Sequence, residues 1–382
     1  MGLNDKRTAN PTGTEFLRMR GGLNNTYARL TEDKKLTVAY IGGSITAGAS
    51  ASDAATKSYR PLTTAWLRER FPEAEITEIN RGNGCAGSKL AAYYVDVDVI
   101  PLKPDLVFLE CAINDHLENL VITPADVSVQ YETIIRKLRT ANPACEFVAL
   151  YTTDDTIAMD EEYFAMAKAQ DEVAAHYSIP SINIGRRLRT EKELIFPKEQ
   201  DQYTAAWQTY FADSVHPTDL GHALYSGYIT EFLQQAFDMA AKANAGVQHK
   251  ALPAAKNRDL LMHTVYVKTT DLDLSESRNW KHAEGEFYGT TENYVYTNDA
   301  DNELVFAFTG TSLHLNCSGL RWDDTVQASY SVDGGEWVTV GPNFVREVEI
   351  VKGLEYGTHT IRFRVGDSTA QKGFTVGAFL IQ

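Results

Sequence analysis

From about residue 36 to 240, short apolar runs alternate with longer stretches whose apolar positions recur at helical spacing. KLTVAYIG, AEITEIN, PDLVFLE, CEFVALYTT and PSINIG each have the length and apolar content of a buried strand. Between them, SYRPLTTAWLRERF, VSVQYETIIRKLRTA and EEYFAMAKAQDEVAAHY carry apolar residues every three or four positions, which predicts amphipathic helices. Strand and helix in alternation imply a parallel sheet covered by helices on both faces.

The pattern changes after PTDLGHALYSGYITEFLQQAFDMAAKA, a long helix opening at Pro-Thr-Asp. Residues 243–259 are small, polar and proline-containing, as in a linker. Beyond them ENYVYT, ELVFAFTGTSLHLNC, VQASYSVDGGEWVTV, HTIRFRVG and FTVGAFLIQ alternate with period two. Asp333-Gly334-Gly335 supplies a hairpin turn, because glycine accepts positive φ without a Cβ penalty. The reading is therefore an α/β domain over 1–242, a linker over 243–259, and an all-β sandwich of jelly-roll type over 260–382.

Composition narrows the possible chemistry. The 51 acidic residues outnumber 36 basic ones, for a formal charge of -15, and no lysine or arginine run offsets them. Phosphate backbones and anionic lipid surfaces would be repelled, so neither nucleic acid nor membrane is expected as a partner. Cys85, Cys111, Cys145 and Cys317 are widely spaced and form no C-x-x-C pair, which suggests neither a metal site nor a disulfide framework. The first residues, MGLNDKRTANPTG, have no apolar leader, and a cytoplasmic protein is the expectation.

Two glycine-rich turns follow strands, and each invites a nucleotide-binding reading. Gly43 and Gly48 have P-loop separation, but Ala49 and Ser50 stand where lysine and serine or threonine would follow. Gly82, Gly84 and Gly87 spell G-x-G-x-x-G, with Glu110 ending the next strand. That fingerprint, however, follows the second strand of the unit and leaves the neighbouring polar clusters unexplained. A third reading treats GGSIT as a nucleophile turn, with Ser44 two residues past a strand, at the edge where parallel sheets place ligands. The α/β-hydrolase elbow G-x-S-x-G is absent, because Thr46 occupies its second glycine position.

A serine nucleophile needs a base and something to orient that base. FADSVHPTDLGH offers both, with Asp213 three residues before His216 on one loop. The oxyanion that forms needs donors, which Ser44 N–H, the Gly84 or Cys85 N–H in RGNGCAG, and the Asn114 amide in LECAINDH can supply. No cofactor and no metal is called for.

These four blocks, in this order at three strand ends and a final loop, resemble the SGNH hydrolases, or GDSL esterase family. The resemblance implies a flavodoxin-like three-layer fold over about residues 36–240. The first block reads Gly-Gly-Ser where the family has Gly-Asp-Ser, and the family's oxyanion glycine falls at Cys85 or beside it at Gly84. The appended sandwich is similar to that of bacterial carbohydrate acetylesterases acting on plant mannan, where it is carbohydrate-binding-like. The resemblance thus implies a serine esterase for acetylated saccharides. A lipid or thioester hydrolase, or a carbohydrate-binding protein with a relict site, is the alternative. Sugar rings stack on aromatic faces, so Trp207, near the catalytic loop, and Trp322, in a polar turn of the sandwich, are the candidate substrate-binding residues.

Overall fold

The computed structural model describes residues 16–117, 122–157, 163–195, 204–244, 246–287, 290–316, 327–340, 347–366 and 374–382. Its first sheet contains β1 (Leu17–Arg18), β2 (Lys35–Gly42), β3 (Glu75–Gly82), β4 (Leu106–Glu110), β5 (Glu146–Leu150) and β6 (Ser181–Ile182). The spatial order is β1-β6-β5-β4-β2-β3. All neighbours run parallel except β1, which pairs antiparallel with β6. The five parallel strands fall on the five apolar runs. At two residues, β1 is too short to leave a periodic signal.

Alternation along β2 explains the layers. Leu36, Val38 and Tyr40 enter a core with Leu67 of helix Tyr59–Arg70 and Phe232 of helix Asp219–Ala243. Ala39 and Ile41 point the other way, into a core with Leu90 of helix Ser88–Asp98 and Ile134 of helix Pro124–Ala141. Successive strand residues face opposite sides, so a strand covered on both faces is apolar throughout. The chain leaves β2 toward one face and β4 toward the other. The crevice between their carboxyl ends is the switch point where such sheets bind ligands.

The C-terminal strands are β7 (Val265–Lys268), β8 (Lys281–Phe287), β9 (Thr290–Thr297), β10 (Leu304–Gly310), β11 (Leu313–Asn316), β12 (Ala328–Val332), β13 (Val338–Val340), β14 (Glu347–Val351), β15 (Gly357–Val365), β16 (Phe374–Val376) and β17 (Ala378–Ile381). They form antiparallel sheets ordered β10-β15-β12-β13, β14-β11-β17-β7 and β16-β9-β8. Phe308, Ile361 and Phe363 from the first meet Leu315, Ile350 and Phe379 from the second in one core, which makes the pair a sandwich. Asp333 and Gly334 both take positive φ, 52° and 73°, and Gly335 N–H bonds Val332 O at 2.9 Å. The hairpin between β12 and β13 thus turns where the Asp-Gly-Gly signal predicted.

Alternation along β17 also joins the two domains. Phe379 and Ile381 face the sandwich core, whereas Ala378 and Leu380 are buried among the residues of helix Ser88–Asp98. Around this apolar contact, Tyr94 meets Tyr266 edge-on at 6.4 Å, and Lys268 pairs with Asp98 at 2.5 Å. The segment between the domains is strapped down over much of its length. Lys250 reaches Glu146 at 2.8 Å, Arg136 donates to Pro253 O at 2.9 Å, and Glu132 accepts the N–H groups of Lys256 and Asn257 at 2.7 and 2.8 Å.

Leu380→Ala is expected to lower the unfolding free energy by about 2–5 kcal/mol, the usual cost of a core cavity. Tyr356→Ala, at an 80% exposed position, should change it by less than about 0.5 kcal/mol. Urea unfolding followed by tryptophan fluorescence tests both.

Candidate active site

Gly43 turns the end of β2 into a four-residue helix, Ser44–Ala47, with Ser44 at its first position. That start leaves the Ser44 N–H outside the helical ladder. The approach is too close for side chains. A Cβ on Gly42 would lie 2.3 Å from Thr46 Oγ1, and one on Gly43 would lie 1.7 Å from Asn114 Nδ2.

His216 sits on the loop between helix Ala205–Tyr210 and helix Asp219–Ala243. Its Nε2 is 2.7 Å from Ser44 Oγ, and its Nδ1 is 2.6 Å from Asp213 Oδ2. A carboxylate can only accept, so Nδ1 carries the proton and Nε2 is left to accept from the serine hydroxyl. Asp213 is locked by its other oxygen, which accepts Val215 N–H at 2.8 Å and His216 N–H at 2.7 Å. Partial burial raises the Asp213 pKa, but the bonds from the His216 ring and these two N–H groups outweigh it and hold the carboxyl down at about 2. Ser44 and His216 are both buried, while 46% of the Asp213 side chain is exposed. His222, the other histidine of the motif, is fully buried, pushed down to about 4 by burial, and bonded to Tyr59 N and Ala49 O. Those bonds occupy both of its ring nitrogens.

The expected oxyanion donors lie beside this relay. Asn114 donates one amide N–H to Ala86 O at 2.9 Å, which fixes the side chain against the glycine turn with its second N–H still to give. The turn itself is closed by Ala86 N–H to Asn83 O at 2.9 Å, with Gly84 and Cys85 at its tip. Cys85 has φ 58°, a left-handed conformation that suits glycine better.

One residue expectation needs correction. Trp207 is fully buried, stacked on Phe211 at 4.1 Å, with the Arg189 guanidinium 5.7 Å from its ring. No face is open to a sugar. Its indole N–H donates to Asp213 O at 2.7 Å, so it props the Asp213–His216 loop from beneath. Trp322 lies outside the described residues. The dinucleotide reading also closes. Asp115 Oδ1 accepts Ser88 N–H at 2.7 Å at the start of helix Ser88–Asp98, where a pyrophosphate would have to sit.

Glu110, which the dinucleotide reading would have set on a ribose, is fully buried under the Ser44 turn. It accepts from Thr152 Oγ1 at 2.8 Å, from Thr46 Oγ1 at 3.0 Å and from the Gly43 N–H. Burial raises its pKa to about 7, against the lowering effect of those three bonds, and the nearby Asp115 raises it further. Asp115 in turn accepts from Gln170 at 2.6 Å as well as from Ser88, and so anchors the glycine turn. Both acids were legible only as polar residues at a strand end. Among the described residues, no three His, Cys, Asp or Glu side chains are gathered to hold a metal ion, and no helix is long and apolar enough to cross a membrane.

A model of the GDSL-like lipase/acylhydrolase family matches residues 40–224, which hold the Ser44 turn, the Asn114 strand end and the Asp213–His216 loop. The N-terminal domain belongs to this family. The chain is thereby a carboxylic ester hydrolase. Across almost its whole length it is similar in fold to a solved two-domain esterase active on acetylated mannans, with TM-score 0.70 and 17% identity, covering 97% of this chain and 98% of that one. The structure of that esterase co-crystallized with mannopentaose gives TM-score 0.71 and 17% identity, with 97% of each chain covered. No curated protein sequence matches the chain significantly. The fold likeness spans both domains of this GDSL-like hydrolase, not the catalytic one alone.

Two outcomes follow from the site. Trp207→Phe keeps the packing but removes the donor to Asp213 O, and should lower stability by about 1–2 kcal/mol and reduce kcat more than it changes KM. Steady-state kinetics with a small acetyl ester and thermal unfolding measure this. Glu110 has a higher pKa folded than its ordinary 4.5, so between about pH 4.5 and 7 the folded state holds a proton that the unfolded chain releases. Its contribution to stability therefore falls as pH rises through that window. Relative to Glu110→Gln, the wild type should lose up to about 3 kcal/mol from pH 4.5 to 7 and no more above it, as read from paired denaturant titrations.

Proposed function

We propose that this hydrolase removes O-acetyl groups from acetylated plant oligo- or polysaccharides, manno-oligosaccharides foremost, through an acyl-enzyme on Ser44. The observation that carries the reading is the continuous relay from Ser44 Oγ through His216 to Asp213, at 2.7 and 2.6 Å. His216 Nε2 takes the hydroxyl proton as Ser44 attacks the acetyl carbonyl, and Asp213 stabilises the imidazolium that forms. The oxyanion of the tetrahedral intermediate is met by the N–H of Ser44, the N–H of Gly84 or Cys85, and the Asn114 amide. Each such donor is worth about a hundred- to thousandfold in rate. His216 then protonates the departing sugar alcohol. Water, deprotonated by the same nitrogen, attacks the acetyl-serine and releases acetate.

Two features support a saccharide over a lipid or a thioester. A formal charge of -15 disfavours anionic membrane surfaces and the phosphate-bearing carriers of many thioesters. The full-length fold likeness is to an esterase active on acetylated mannans, and it includes the sandwich.

Acetate release should be measured from acetylated mannan, acetylated xylan and a long-chain ester. Wild type is expected to prefer the mannan, and Ser44→Ala to lose at least about 10³-fold on every ester. Activity retained by Ser44→Ala would remove the nucleophile from the mechanism. A preference for the long-chain ester would remove the saccharide.

A further inference from the structure

The residues that flank Ser44 are held from below by one side chain. Gly42, at the end of β2, is in register with Glu110, at the end of β4, and a Cβ on it would stand 2.9 Å from Glu110 Oε2. From there the carboxyl accepts the N–H of Gly43, one residue before Ser44, and the hydroxyl of Thr46, two residues after it, at 3.0 Å. Gly43 is fixed at its other end too, since its carbonyl accepts the Ala47 N–H at 3.0 Å. Thr152 Oγ1, just beyond β5, completes the set at 2.8 Å. Ser44 thus lies between two groups that both bond Glu110.

The hydroxyl protons of this network can be counted. Thr46 Oγ1 lies 3.0 Å from Glu110 Oε2 and 2.8 Å from Tyr59 Oη, and either partner of the second contact can donate. With Glu110 ionised, Tyr59 donates to Thr46 and Thr46 to the carboxylate, so every proton has an acceptor. With Glu110 neutral, its own proton needs an acceptor, and the hydroxyls bonded to it are the two threonines that were donating. If Thr46 accepts, the chain reverses and Thr46 donates to Tyr59. Tyr59 is buried, and its Oη has no other hydrogen bond among the described residues to take the displaced proton. The bond from Gly43 N–H weakens as well, because a bond to an ionised acceptor is about twice as strong as a neutral one.

The groups packed around Glu110 leave it as the one that changes. Tyr59 and Tyr225 face it from two helices and Cys111 from the end of its own strand, and burial pushes all three up, so they stay neutral. His222, stacked on Tyr59, is pushed down to about 4, and Asp115 is the acid whose charge acts on Glu110. Glu110 itself is ionised above about pH 7 and neutral below it.

We infer that Glu110 is a positioning residue for acyl transfer: its ionised form holds the Ser44 turn through Gly43 and Thr46, and its protonated form slackens the turn and slows turnover. The carboxyl does this without touching the substrate, through the chain Glu110–Thr46–Tyr59. The inference rests on Ser44 being the nucleophile, as proposed above.

The test is the pH dependence of kcat for a small acetyl ester between about pH 5 and 9. Asp213, held at about 2, and His222, at about 4, titrate below this range. Wild-type log kcat should fall toward acid with a slope approaching two, because both the base His216 and Glu110 must be free of the extra proton. Glu110→Gln keeps the shape but donates to Thr46 as the neutral acid does. It should fall with a slope of one, and at about pH 8 its kcat should be at least about tenfold lower with KM changed less than about twofold. Thr152→Val removes a donor to the ionised form from outside the Ser44 turn, and should move the Glu110 step up by about one pH unit. A wild-type slope of one, wild-type turnover by Glu110→Gln, or an acid limb left in place by Thr152→Val overturns the inference. Failure of the nucleophile reading registers separately, as ester hydrolysis that survives Ser44→Ala.

Discussion

At the carboxyl ends of β2 and β3 the backbone comes closer to its neighbours than any side chain would permit. Gly42, Gly43 and Gly82 each stand where a Cβ would be 2.3 Å or less from another atom. That approach packs helix Ser44–Ala47 directly between two strand ends and brings the Asn114 amide against the turn. The proposed machinery depends on it, because an oxyanion must be met within hydrogen-bond distance by several donors at once. Substituting any of the three would push apart groups that come from different strands.

Beneath this surface the turn is held by polar contacts instead of apolar packing. Glu110 draws the Gly43 N–H, Thr46 and Thr152 toward one carboxyl, and Tyr59 bonds Thr46 at 2.8 Å from the other side. A buried network of this kind is directional, so it specifies one geometry where an apolar core tolerates several. The Asp213–His216 loop is held similarly from below, with Trp207 bonded to the Asp213 carbonyl and Arg189 donating to the carbonyls of Ile157 and Leu194 at 2.7 and 2.9 Å. Asp213 and His216 are therefore supported from beneath, although Asp213 itself is partly open to solvent.

The sandwich is built into the catalytic domain and does not hang from it. Period-two alternation in β17 sends one row of side chains to each core, and the connecting segment is tied to helices of the first domain by side-chain and backbone bonds. An apolar seam of this kind keeps the relative placement of the domains.

Much of the architecture was readable from periodicity, because burial on one face or two imposes a repeat of two or 3.6 on the chain. The strand ends bearing Ser44 and Asn114, and the Asp213–His216 loop, were readable because a few residue types in order satisfy an attacking hydroxyl, its base and its oxyanion. Trp207 shows where that reasoning stops. Its spacing from His216 was evident, but which way an indole faces depends on Phe211 and Arg189, and Arg189 comes from another element. Glu110 was visible only as an acid closing a strand, since its role comes from being buried among groups distant in the chain. The sequence by itself determined the elements, their layers and the candidate chemistry. Only the tertiary structure decided which polar side chains are supports, which face the site, and what lies between the domains, because those are properties of contacts that no local pattern encodes.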